Sequence, residues 1–188
     1  YLLNYMLPSG NSLYNSNGWS AYNLTNYNDN KYVGYMYGGA NGVASTSRLQ
    51  ATTNETDTRI KSYLDEWYEI NISGTNYEDY ISDTLFCNDR QLQSEIGGLA
   101  TGTGFGTSTT RYAAYYRLYT NKTPTLKCGV QNDRFTVSDE SIGNKDLTYP
   151  VGLMSADEIS LAGTNYVIPN STNYLYTNQD YWSLSPYF

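Results

Sequence analysis

Apolar side chains recur at Ile60, Tyr63, Leu64, Trp67 and Ile70 within DTRIKSYLDEWYEINI, at i, i+3, i+4, i+7 and i+10. That spacing predicts an amphipathic helix with one apolar stripe. Thr56 or Asp57 is the expected cap. Asp65, Glu66 and Glu69 fall mostly off the stripe and are read as a solvated face. A second helix is predicted in MSADEISLAG. There Ser155 and Glu158 form a Ser-x-x-Glu capping box, Gly163 stands where a C′ glycine belongs, and Ile159 and Ala162 are expected inward. Asp157 and Glu158 in its first turn suit the helix dipole.

Elsewhere the pattern is short and broken by turn residues. KYVGYMYGG (31–39) reads as a tyrosine-rich strand closed by a glycine pair, apolar on both faces. YISDTLFCNDR reads as extended, with Ile81, Leu85 and Phe86 inward, and TPTLKCGVQNDRFTV as two short strands about a polar turn. RYAAYYRLYT fits helix and strand equally. The glycine-rich run EIGGLATGTGFGTSTT reads as a flexible surface loop, since Gly102, Gly104 and Gly106 lack the third glycine and βα setting of a dinucleotide fingerprint.

Composition supports a folded, β-rich domain. Twenty-two Tyr residues and many Asn, Thr, Ser and Gly stand beside only 15% charged residues. Tyr supplies a large ring with a polar tip, and this mixture suits short strands joined by many turns. A disordered chain needs few aromatics and high net charge. At 188 residues one domain, 1–188, is expected. The net charge of −7 and the eleven scattered Lys and Arg argue against nucleic acid as a partner. No apolar run approaches the roughly 20 residues of a membrane span, so no direct membrane insertion of this segment is expected.

The chain holds no histidine. That removes Ser-His-Asp and Cys-His catalysis and His-ligated zinc. Paired carboxylates among Asp65, Glu66, Glu69, Glu78, Asp79 and Asp83 leave a hydrolase as a remaining alternative, but spacing in sequence cannot place two of them across a cleft. The expectation is a chain that is not an enzyme. No cofactor is expected either. Calcium is the one ion considered, on oxygen ligands in YNDNK and TNQD, and neither matches an EF-hand loop. Cys87 and Cys128 are read as one disulfide of a secreted protein, worth roughly 3–4 kcal/mol through its loop, with two buried free thiols as the alternative. Asn-x-Ser/Thr triplets occur at Asn23, Asn54, Asn71, Asn121 and Asn170, as an Asn- and Thr-rich chain produces by chance.

Several blocks carry a resemblance. KYVGYMYG, IKSYLDEWYE, DTLFCNDR, NKTPTLKC, YPVGLMSADEISLAG and YLYTNQDYWSLSPYF, in that order over nearly the whole chain, resemble a family of uncharacterised Tyr/Asn-rich domains. These occur on extracellular proteins of gut Firmicutes, several of them behind type IV pilin-like N-termini. More distantly, a turn, a helix and then Tyr-Trp-Ser resembles the C-type-lectin-like fold shared by formylglycine-generating enzymes. The resemblance implies an α+β domain, C-type-lectin-like, with two helices packed on short twisted antiparallel strands and many loops. The enzyme branch works through cysteines in the C-terminal part of its fold, and Cys87 and Cys128 match no such motif, so only the fold carries over. In that fold Tyr-Trp-Ser enters a strand and further strands follow. The closing strands are therefore expected to be missing from 1–188, with Tyr181–Phe188 forming an open or chain-filled sheet edge.

The expected function is a secreted or cell-surface binding and adhesion module for a carbohydrate or protein ligand. Tyr, Ser, Asn and Gly are the residues recognition surfaces use. Candidate contacts are Tyr174, Tyr176, Tyr181, Trp182 and Tyr187. The alternative is a structural subunit pairing with identical subunits in a pilus or other filament through exposed strand edges.

Overall fold

A computed structural model describes residues 29–162, and among these the chain is a mixed α+β structure. Strand β1 (Met36–Tyr37) pairs antiparallel with β2 (Thr56–Asp57), and β3 (Phe86–Cys87) with β4 (Arg134–Phe135). Four α-helices accompany these two small sheets among the described residues: α1 (Arg48–Ala51), α2 (Arg59–Asn71), α3 (Ala113–Tyr115) and α4 (Ala156–Leu161). Helix α3 continues into a π-helical turn, Tyr116–Asn121.

Helix α2 forms where its periodicity places it, with two corrections. Its cap is Thr58, whose Oγ1 accepts the Lys61 N–H, while Thr56 and Asp57 are drawn into β2. Its buried side is Ile60, Lys61, Leu64 and Tyr68; Tyr63 and Trp67 are half-buried, and Ile70 is 71% exposed. The stripe turns because Lys61 can be buried: its ammonium donates to Asp57 Oδ2 (3.1 Å), Asp65 Oδ2 (2.9 Å) and Thr148 Oγ1 (3.1 Å). A buried amine so supplied carries little penalty, and its stem packs as an apolar chain.

Helix α4 begins at the capping box. Glu158 N–H donates to Ser155 Oγ at 3.2 Å, and Ser155 N–H to Glu158 Oε2 at 2.6 Å. Its buried residues are Ala156, Asp157 and Ser160, whereas Ile159 and Ala162 are half-buried. Gly163 lies outside the described residues. RYAAYYRLYT resolves as helix: Ala113, Ala114 and Leu118 are fully buried, and Ala114 and Leu118 cluster with Ala156 of α4.

Strand pairing is shorter than the pattern predicts. Asn30–Tyr32 is a 3-10 turn capped by Asp29, so only Met36 and Tyr37 of 31–39 join a ladder. At Gly34, where φ is +78°, a Cβ would strike the Asn88 amide, and that amide oxygen accepts the Tyr35 N–H. Of TPTLKCGVQNDRFTV only Arg134–Phe135 is strand, because Gln131–Asp133 turns as a 3-10 helix. The glycine-rich run is pinned rather than free. Gly104 N–H donates to Thr110 Oγ1, Thr103 N–H to Ser108 Oγ and Gly106 N–H to Asn30 Oδ1.

The main core is Tyr35, Ile60, Leu64, Phe135, Leu147 and Leu153, with Phe86 packed against it. Tyr35 and Phe135 meet with ring centroids 5.2 Å apart. The Tyr35 hydroxyl accepts Leu153 N–H at 2.6 Å and donates to Leu153 O at 3.3 Å, which lets a phenol occupy the core.

A buried arginine, a half-buried one and the disulfide tie these pieces together. Arg90 Nε donates to Asp133 Oδ1 at 2.6 Å, Nη1 to the carbonyls of Met36 and Ala51, and Nη2 to Asn54 Oδ1 and Asn132 O. Arg117 bridges Asp89 and Asp157, each at 2.6 Å. Burial alone would lower the Arg117 pKa, but the bonds and charges of Asp157 and Asp89 outweigh it and hold the guanidinium above its ordinary value. Asp157, which the sequence assigns to the helix dipole, also accepts the Thr125 N–H, so it fixes the 123–128 segment to α4. Cys87 and Cys128 are bonded.

Candidate functional site

Helix α2 presents Leu64, Trp67, Tyr68 and Asn71, spaced i, i+3, i+4 and i+7, along one side of a groove of about 670 Å³. Ile72, Tyr77, Tyr80 and Ile81 supply the facing wall, and Phe86, Pro150, Val151 and Gly152 the remainder. The helix ends at Asn71, whose Nδ2 donates back to Trp67 O, and local bonds turn the chain so that it comes back along the groove. Thr75 Oγ1 bonds Ile72 O, Gly74 N–H donates to Glu78 Oε2, and Glu78–Tyr80 closes as a 3-10 turn. Gly152 is required by close approach: a Cβ there would collide with the Tyr35 hydroxyl and the Phe86 ring.

The groove is aromatic and open. Tyr77 is 63% and Tyr80 86% exposed. Tyr68, also lining the groove, is buried and stacks on Tyr149, centroids 4.8 Å apart and planes 17° from parallel. Burial raises the Tyr68 pKa, and the Glu78 carboxylate raises it further. No Lys or Arg lines the groove. From Ser62 to Asp89 the sequence contains neither residue, while Asp65, Glu66, Glu69, Glu78, Asp79, Asp83 and Asp89 all fall there.

Several of those carboxylates are committed to structure. Asp65 holds Lys61, and Asp89 holds Arg117. Asp83 accepts the N–H groups of Val137, Ser138 and Asp139 and the Ser138 hydroxyl. Burial alone would raise its pKa, but these four donors hold it below the usual carboxylate range. Glu66, Glu69, Glu78 and Asp79 join no ion pair among the described residues. Glu66 lines a second, polar hollow of about 610 Å³ with Glu55, Asp57 and Arg59 near the start of α2.

Of the calcium candidates, YNDNK supplies a cap and two anchors. Asp29 Oδ1 accepts Lys31 N–H, and Asn30 bonds Ser45 Oγ and Gly106 N–H. Among the described residues no three His, Cys, Asp or Glu side chains group as a metal site, and no helix is long and apolar enough to cross a membrane. TNQD lies outside the described residues, as do Tyr174, Tyr176, Tyr181, Trp182 and Tyr187 and the strand edge expected at Tyr181–Phe188.

The groove residues were legible one by one but not as a site. Trp67 stands in the predicted stripe as a core residue, Tyr77 falls in a stretch with no periodicity, and Tyr80 opens the segment read as extended. The signal that could have found them is the cluster of Trp67, Tyr68, Tyr77 and Tyr80 inside a segment free of Lys and Arg. Comparison of the chain with family models, with curated proteins and with solved structures returned no match.

Proposed function

We propose that this chain is a non-catalytic binding module of an extracellular or cell-surface protein, and that its ligand sits in the groove beside α2. The observation that carries this reading is the exposure of Tyr77 and Tyr80 around a hollow floored by Phe86 and Pro150. Large aromatics are enriched at recognition surfaces because they bring much contact area at small conformational cost. A mostly apolar hollow with few polar groups is the usual form of a ligand site. The Cys87–Cys128 disulfide supports an oxidising location, secreted or surface-attached.

A C-type-lectin-like arrangement belongs to this reading. It is supported by two capped helices, α2 and α4, set among short antiparallel strand pairs and long loops. Asp65 and Asp83, two of the carboxylates considered for hydrolysis, are bound into structural contacts, which favours binding over catalysis.

The test is a screen of the whole chain against arrayed glycans and immobilised extracellular proteins, repeated with Tyr77→Ala/Tyr80→Ala. Binding should fall at least tenfold while the thermal unfolding midpoint stays within about 1–2 °C, since both side chains are exposed. Ligand binding untouched by the double variant, or a native mass showing only filaments of identical subunits, would overturn it.

A further inference from the structure

Resting on that binding reading, we infer that the groove takes a peptide segment of a partner protein in which apolar side chains are flanked by Lys or Arg. The floor and walls are Leu64, Trp67, Phe86, Pro150 and Val151, which ask for apolar groups. Among the described lining residues the polar groups other than the tyrosine hydroxyls are the Trp67 indole N–H and the Asn71 amide, one of whose N–H groups is already used by Trp67 O. A sugar, which must satisfy many hydroxyls, finds few partners there; an apolar side chain needs none.

The rim supplies the second half of the recognition. Glu78 and Asp79 are exposed and lie between Tyr77 and Tyr80 in sequence, on the 3-10 turn whose two tyrosines line the groove. Glu78 lies near enough to Tyr68 to disfavour its ionisation. Neither carboxylate has an ion-pair partner among the described residues, and no cation lines the hollow to oppose them. A Lys or Arg placed there meets a carboxylate and an exposed tyrosine face together, combining charge attraction with a cation–π contact. A second copy of this chain fits less well, since its net charge of −7 repels its like.

The experiment pans the full chain against a display library of random linear peptides. The best binder is then synthesised and its Kd measured by fluorescence anisotropy at about 50 and 300 mM salt. Enriched peptides should combine aliphatic or aromatic residues with Lys or Arg. Tyr80→Ala should weaken binding about tenfold or more. Glu78→Gln/Asp79→Asn, in which the Gln amide oxygen still accepts the Gly74 N–H, should weaken it several-fold at low salt and little at high salt, because exposed charges are screened. Enrichment of uncharged peptides, or equal affinity for the charge-neutralised variant, overturns the inference. Glycans that bind and are lost with Tyr80→Ala, with no peptide enriched, overturn this inference and leave the binding-module reading standing. If neither probe class responds to groove variants, or if crosslinking fills the groove with residues 1–28 or 163–188 of the same chain, both fail.

Discussion

Replacing Arg90 by Met tests whether one buried guanidinium holds the β1–α1 side of the molecule to the β3–β4 side. Arg90 is 6% and Asp133 1% exposed, and the pair closes at 2.6 Å. All five guanidinium donors are used: one on Asp133, two on the carbonyls of Met36 and Ala51, two on Asn54 and Asn132. Met keeps much of the volume and removes every donor. It leaves the Asp133 carboxylate buried with only the Arg90 backbone N–H, at 2.7 Å. Removing one partner of a buried pair costs about 3–5 kcal/mol. For a chain of this length that is a fall in Tm of roughly 6–20 °C, at about 2–4 °C per kcal/mol. Urea unfolding at pH 7, followed by tryptophan fluorescence, measures it directly. Arg90→Met/Asp133→Leu removes the stranded carboxylate and should cost less than the sum of the singles by at least about 1 kcal/mol, within the range of neighbour coupling. Arg90→Lys keeps the charge but offers three donors from one point, so it should restore less than half of the loss. The reasoning fails if Arg90→Met costs under about 1 kcal/mol, or if the two singles simply add.

Three further outcomes follow from the same contacts. Opening the Cys87–Cys128 bond with Cys87→Ser/Cys128→Ser frees a loop with a sequence separation of 41 and should cost about 4 kcal/mol in urea unfolding, with no added effect of reductant on the variant. Asp83 has a folded pKa below its ordinary value, so its stabilisation is full above the unfolded carboxylate pKa and is lost as pH falls through the folded one. Asp83→Asn should therefore be less stable than the parent at pH 7 and lose less stability below about pH 4, as read from unfolding midpoints across pH. Amide hydrogen exchange should be slow at Asn88 and Arg90, whose N–H groups bond Asp133, and fast across Gly74–Ile81, where the bonds are local; equal protection in both stretches would contradict this.

The parts of the fold legible in the sequence are those fixed by neighbours along the chain. The α2 periodicity and the Ser155–Glu158 box are local signals, and both elements stand where those signals place them. The cap at Thr58 and the rotated face of α2 were not legible, because each depends on a distant partner. Thr58 Oγ1 donates to Gly34 O, and Lys61 is buried only because Thr148 and two aspartates meet it. Asp157 illustrates the same limit. A first-turn aspartate reads as a dipole partner, and only the fold brings Arg117 to it from 40 residues away. The groove was hidden for a related reason. Its walls are joined by a turn without hydrophobic period, and its floor comes from Phe86 and Pro150–Gly152, far apart in sequence.

The run Phe86–Arg90 explains how such a loop-rich chain keeps a defined surface. Phe86 floors the groove, Cys87 carries the disulfide, Asn88 accepts the Tyr35 N–H, Asp89 holds Arg117 and Arg90 saturates its five donors. Five successive residues thus fasten five different parts of the chain. Short strands alone could not do this, since two-residue ladders bury little and order little backbone. The load falls instead on charge-assisted bonds and a covalent link, both of which hold irregular backbone in place. One side of the groove is thereby fastened to distant parts of the chain. The other, Ile72–Ile81, is held by bonds within itself and to the adjoining Tyr68 carbonyl at the end of α2, and exposes its tyrosines. A preordered floor lowers the entropy lost on binding, and an adjustable aromatic wall allows closure onto side chains of different shape. That division of labour suits a surface built to grip a ligand more than one built to pack permanently against identical copies.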